Sequence, residues 1–271
     1  MTFPATAKNA LLAFIAVAFV AAGYVTSLPQ AHAVTPIASL APGSLFRGET
    51  FAAVYYLSVD GTRYVFPNQK TYDTWYNGDF STVVFVSDAD LTKVQIGGNV
   101  TYKPGTRMIK IDSDNRTYMP AADGTLRHVA TEAVATSYFG SAWNTFIDDM
   151  PDGFFTNYTI GDVINSANQF DKEAAKAAAT GIDADKGLVA PQNISITDGG
   201  YSPIDVTINA GESVRFTNTG SVKHTATADD LTWGTGTLEP GKAFIRRFNT
   251  PGIYTFFDSY DGSNTGAIYV E

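Results

Sequence analysis

The sequence predicts a mainly β protein with α+β parts: two α+β repeats followed by a Greek-key β-sandwich. Three observations carry this. Residues 192–271 alternate apolar and polar positions (Ile194, Ile196; Val206, Ile208; Val214, Phe216) and break at Ala210-Gly211, Pro240-Gly241 and Pro251-Gly252. Period-two runs punctuated every eight to twelve residues or so belong to small antiparallel sandwiches. Residues 36–162 contain an internal duplication, and an alanine-rich stretch separates it from the tail.

From the amino terminus, Lys8 is followed by the apolar run 10–22, and no further charge appears before Arg47. The run is shorter than the roughly 20 residues of a spanning helix. It leads to Ala31-His32-Ala33, the small-x-small pattern cut by signal peptidase. Residues 1–33 are therefore expected to be a signal peptide, placing the chain at the cell surface or outside the cell. Contact with the membrane is expected only through this segment, if it is uncleaved.

In the repeat region, expected copies cover about 36–99 and 100–162. Asp60-Gly61-Thr62-Arg63-Tyr64-Val65 answers Asp123-Gly124-Thr125-Leu126-Arg127-His128-Val129, and Asp88 answers Asp152. The offset reads as 64 with an insertion near Leu126, which sets His128 against Tyr64. Each copy reads as a hairpin, a short helix and further extended segments. Asp60-Gly61 is a two-residue hairpin signal. Trp75 and Trp143 fall on the helical pattern of their copies, where an aromatic ring is more often core than a ligand platform. The alternative is cell-wall glycan binding through the aromatic repeats, against which the core reading of the rings stands.

Residues 163–191 form the expected Ala-rich linker. A short helix opens at Asp171 and stops at Gly181, and residues 182–187 are polar without period. Such a spacer leaves the flanking parts free to move, unless an interface hidden from the sequence holds them.

The chain has no cysteine and a formal charge of −9, which becomes −10 when Lys8 leaves with the signal segment. An acidic chain with no basic patch is excluded as a nucleic-acid binder. Its fourteen Tyr and eighteen Phe suit aromatic cross-strand pairs. No nucleophile elbow, phosphate loop or dinucleotide fingerprint occurs. Asp88 and Asp152 sit at equivalent repeat positions, which favours capping over catalysis. No catalytic residue and no enzymatic activity are expected.

Two resemblances refine this reading. The order Gly-Gly-Tyr-Ser-Pro, Val-Thr-Ile-Asn-Ala-Gly-Glu-Ser-Val-Arg-Phe-Thr-Asn, Lys-His-Thr, Gly-Thr-Leu-Glu-Pro-Gly-Lys and Thr-Pro-Gly-Ile-Tyr-Thr-Phe-Phe across 192–271 resembles a cupredoxin domain of the plastocyanin and amicyanin type. The resemblance implies a Greek-key cupredoxin-like β-sandwich and a type 1 copper site of two His, one Cys and a weak axial Met. His224 stands at the first His position. Asp258, Asp261 and Asn264 stand where the Cys, second His and Met belong. The thiolate is absent, and hard oxygen ligands suit Cu(I) poorly. No cofactor is therefore expected. The alternative is a divalent metal, copper or zinc, held by His224, Asp258, Asp261 and Asn264. The second resemblance lies in Asp-Gly-Thr-Arg-Tyr-Val-Phe-Pro-Asn-Gln-Lys-Thr-Tyr, from Asp60, which is similar to paired modules of exported bacterial proteins. It implies localisation rather than chemistry. Separately, the partners expected of an exported chain are other surface proteins or cell-wall components.

Overall fold

A computed structural model of the protein describes residues 33–271. The expected signal segment, Ala33 apart, lies outside the described residues. Among the described residues, no helix is long and apolar enough to cross a membrane.

The first sheet is built from β1 (Leu45–Arg47), β2 (Val54–Leu57), β3 (Arg63–Val65), β4 (Val84–Phe85) and β5 (Ile96–Asn99), in the order β4-β1-β2-β3-β5. Helix α1 (Gln69–Tyr76) follows β3, and α2 (Asp88–Leu91) follows β4. The Asn68 side chain accepts from the Thr71 N–H and starts α1, while Asn77 in the left-handed region ends it. Leu57 pairs with Arg63, so the hairpin loop is longer than the Asp-Gly signal implies. The cause is local: Asp60 Oδ1 accepts from both the N–H and the hydroxyl of Thr62, which widens the turn.

The second sheet takes β6 (Met108–Ile111), β7 (Asp114–Ala121), β8 (Thr125–His128), β9 (Ile147–Met150) and β10 (Thr159–Ile160), in the order β10-β8-β7-β6-β9. Its helices are α3 (Glu132–Phe139), capped by Thr131, and α4 (Asp152–Phe155). Each sheet has two parallel outer pairings around an antiparallel three-strand centre, connected in the same way. The pairing register corrects the sequence alignment. Tyr55 faces Val65 and Tyr118 faces His128, so His128 is equivalent to Val65, at an offset of 63. The offset becomes 64 by β5 and β10, where Ile96 lies beside Arg63 and Ile160 beside Leu126. The extra residue thus falls after the helix rather than near Leu126. Trp143 is likewise off the helix, on the 3-10 segment Gly140–Phe146.

The segment between the sheets and the tail forms α5 (Lys172–Ala178), opened by the Asp171 side chain, and α6 (Ile182–Asp185). Gly181 precedes α6 rather than stopping α5. Ile182 and Leu188 are buried in the core of the first sheet with Tyr56, Tyr64, Phe66 and Tyr72. Asp183 accepts from the Tyr56 hydroxyl at 2.8 Å.

The tail forms β11 (Gln192–Thr197), β12 (Gly200–Ser202), β13 (Asp205–Ile208), β14 (Glu212–Asn218), β15 (Thr227–Ala228), β16 (Ala243–Phe248), β17 (Gly252–Asp258) and β18 (Asp261–Val270). Two four-stranded sheets result, β12-β11-β14-β16 and β13-β18-β17-β15. Ile194, Ile196, Val214, Phe216, Phe248, Phe256 and Ile268 fill the space between them, as the alternating pattern requires. The edge strand β16 is not open. The Gln95 amide donates to the Ile245 carbonyl at 2.7 Å and accepts from the Ile245 N–H at 3.1 Å. Arg247 donates to the Lys186 carbonyl at 3.2 Å. An interface unseen in the sequence therefore joins sandwich, linker and first sheet.

Candidate functional site

The site is set by three loops at one end of the sandwich. Asn218, fully buried at the end of β14, donates to the Val222 and Leu238 carbonyls and accepts from the Gly220 N–H. This folds residues 219–223 back so that His224 pairs backbone to backbone with Leu238. The β17 strand delivers Asp258 through a register irregularity at Phe257 and Asp258. The Asp198-Gly199 turn between β11 and β12 delivers Asp198.

His224 sits between the two carboxylates. Its Nδ1 lies 2.6 Å from Asp258 Oδ2, and its Nε2 lies 3.2 Å from Asp198 Oδ1. A neutral imidazole would aim one lone pair at a carboxylate oxygen, so the geometry is that of an imidazolium donating from both nitrogens. Burial opposes charge on the ring, but the hydrogen bonds and charges of Asp258 and Asp198 outweigh it and raise the His224 pKa above the ordinary value. The His224 and Asp258 side chains are 4% and 0% exposed, and that of Asp198 is 50% exposed.

The remaining oxygens are occupied. Asp258 Oδ1 accepts from the N–H groups of Thr225 at 2.9 Å and Tyr260 at 3.0 Å. Asp198 accepts from the Ser221 N–H at 2.8 Å and its hydroxyl at 2.7 Å; these bonds and that from His224 hold its pKa at about 2. Gly220 closes the arrangement. A Cβ there would lie 2.2 Å from Asp198 Oδ1 and 3.0 Å from His224 Nε2.

Of the other three sequence-predicted site residues, only Asp258 bonds to His224. Asp261 is exposed and accepts from the Ser263 N–H and hydroxyl; Asn264 donates to Asp261 at 3.3 Å. Asp198, absent from the sequence-based set, supplies the second contact to the ring. Its only sequence signal was Asp-Gly-Gly, which reads as a turn. Among the described residues, no group of three or more His, Cys, Asp or Glu side chains is arranged to hold a metal ion. The donors do not fit type 1 copper. The thiolate is missing, Asp258 Oδ2 bonds to an N–H, and both imidazole nitrogens carry hydrogen bonds.

Residues 174–270 match the cupredoxin-like domain family. With its two packed four-stranded sheets, the carboxy-terminal part of the chain is a cupredoxin-like domain. The match begins inside α5, ahead of the expected boundary at 192. Solved structures similar to this part include a purple cupredoxin from Nitrosopumilus maritimus (26% identity, 30% of this chain, 99% of that one, TM-score 0.28). A copper-containing nitrite reductase from Thermus scotoductus SA-01 is similar at 22% identity, over 31% of this chain and 23% of that one, with TM-score 0.29. Amicyanin from Paracoccus versutus is similar at 24% identity, over 30% of this chain and 81% of that one, with TM-score 0.28. No curated protein matches the chain.

Proposed function

We propose that this chain is an exported, cell-surface or secreted, non-enzymatic structural or binding protein. In this reading its cupredoxin-like domain has replaced the copper site with an internal ion cluster. The supporting observation is the engagement of both His224 ring nitrogens by carboxylates, one of them Asp258 at the family's cysteine position. The imidazolium supplies the buried positive charge that the two acids require, so the loop end closes without a cation from outside. Partners are other surface proteins or cell-wall components, met by the outer surface of a cofactor-free scaffold.

The test is elemental analysis of the purified mature chain and its titration with Cu(II), Zn(II) and Ca(II), alongside His224→Ala. Nitrogen NMR of the imidazole is read in parallel. No stoichiometric metal, with both ring nitrogens protonated at neutral pH, is the expected result. Stoichiometric binding that disappears in His224→Ala would overturn the reading in favour of a metal site at His224, Asp258, Asp261 and Asn264.

A further inference from the structure

The two five-stranded modules carry the same cleft. The first, of about 530 Å3, is walled by residues 52–54, 65–69, Tyr72 and Phe80, with Asn99 and Phe154 closing it. The second, of about 270 Å3, is walled by residues 115–117, 128–132, Ala135 and Trp143. Every residue of the second stands 63 positions after a residue of the first, the offset fixed by the strand register. A packing accident does not recur position by position; the cleft is a feature of the module, placed where the central hairpin meets the helix start.

What changes between the two clefts, and what stays, identifies the ligand. The position of Phe80 and Trp143 keeps an aromatic ring. Phe80 stacks one face on Tyr72 (4.3 Å between centroids, 5° between planes) and remains 44% exposed. Trp143 is half-buried beside α3. Around these rings the first cleft is mostly apolar, with a free amide at Gln69, while Asn68 caps α1 and the Asn99 amide donates to Asn157 at 2.8 Å. In the second, Asn115, His128 and Glu132 replace Ala52, Val65 and Gln69, and their side chains hydrogen-bond to no other described residue. Arg116, its one Lys or Arg, is held by Asp114 at 2.7 Å. An aromatic face with unused planar polar groups suits a ring with C–H faces and hydroxyl edges. A phosphate or nucleotide finds no unpaired cation in either cleft, on a chain of charge −9.

We infer that both clefts bind sugar rings of one repeating polysaccharide, with N-acetylhexosamine units as the ligand class. The acetamide supplies the apolar methyl and the amide that the first cleft accepts; the hydroxyls meet the polar rim of the second. Two weak sites on one chain gain avidity for a polymer over its monomer. The inference extends the binding role proposed above and is independent of the fate of the copper position.

The probe is a β-1,4-linked N-acetylglucosamine tetramer, titrated into the full mature chain by calorimetry, with retention on the insoluble polymer as a second readout. Phe80→Ala and Trp143→Ala are expected each to weaken the tetramer about tenfold and together to abolish retention, with thermal unfolding showing both folded. Where either fails to fold, Gln69→Ala and Glu132→Ala, at exposed rim positions, replace them. No binding of tetramer or polymer overturns the inference, as does binding that ignores all four substitutions. Capture of an apolar peptide in place of the saccharide also overturns it and makes the first cleft a protein-docking site.

Discussion

Asp258 is fully buried, and its nearest counter-charge is the ring of His224. Removing one member of a buried pair leaves the other charge uncompensated, at a cost of about 3–5 kcal/mol. His224→Ala is therefore expected to lower the urea midpoint by that equivalent, whereas Asp261→Ala, at an exposed turn, changes it by less than about 0.5 kcal/mol. The pH response has two limbs. The folded pKa of His224 is raised above 6.5, so its contribution is full below that value and is lost as pH rises through the folded pKa. The folded pKa of Asp198 is lowered from 3.8 to about 2, so its contribution is full above 3.8 and is lost as pH falls through 2. The stability difference between the native chain and His224→Gln should be largest between these limits, in mildly acidic solution. A flat difference from pH 4 to 9, measured by urea unfolding, would show that the ring carries no such charge.

Among the elements, α6 was the least legible and proves central to the packing. Residues 182–187 look polar and aperiodic because a four-residue helix offers one turn of pattern, yet Ile182 is 1% exposed in the core of the first sheet. Ile182→Ala is expected to cost about 2–5 kcal/mol and to open residues 179–191 to limited proteolysis. Asp185, in the same helix, has a pKa raised to about 6, chiefly by burial. A raised carboxylate pKa means stability falls as pH climbs from 3.8 through 6. Asp185→Asn should therefore stabilise the protein at pH 8 and change little at pH 4, as read by thermal melting. The hairpins and the helix start at Asp171 were readable in the sequence because their causes are local. So was the sandwich, whose period-two pattern records one buried face per strand. The role of Asp198 was not, because a residue in a Gly-Gly turn gives no sign of what lies 26 positions away across the loop end. The family's ligand positions led to His224 and Asp258 but also to Asp261 and Asn264, whose side chains bond to their own turn instead.

Across the whole molecule, the expectation of loosely tethered halves gives way to one described unit, Ala33–Glu271. Gln95 supplies two hydrogen bonds to the backbone of β16, each contributing about 0.5–1.5 kcal/mol. Gln95→Ala should speed amide exchange at Ile245 and broaden the small-angle scattering profile, leaving the sandwich itself folded. The same side chain has a second consequence. An unpaired strand invites a neighbour to extend the sheet, and a sheet open on both sides can add neighbours without limit. Here one side is occupied by the chain's own glutamine, and the opposite side is β12, three residues long. Addition through this sheet is left only the short β12 edge, so files of molecules need some other surface.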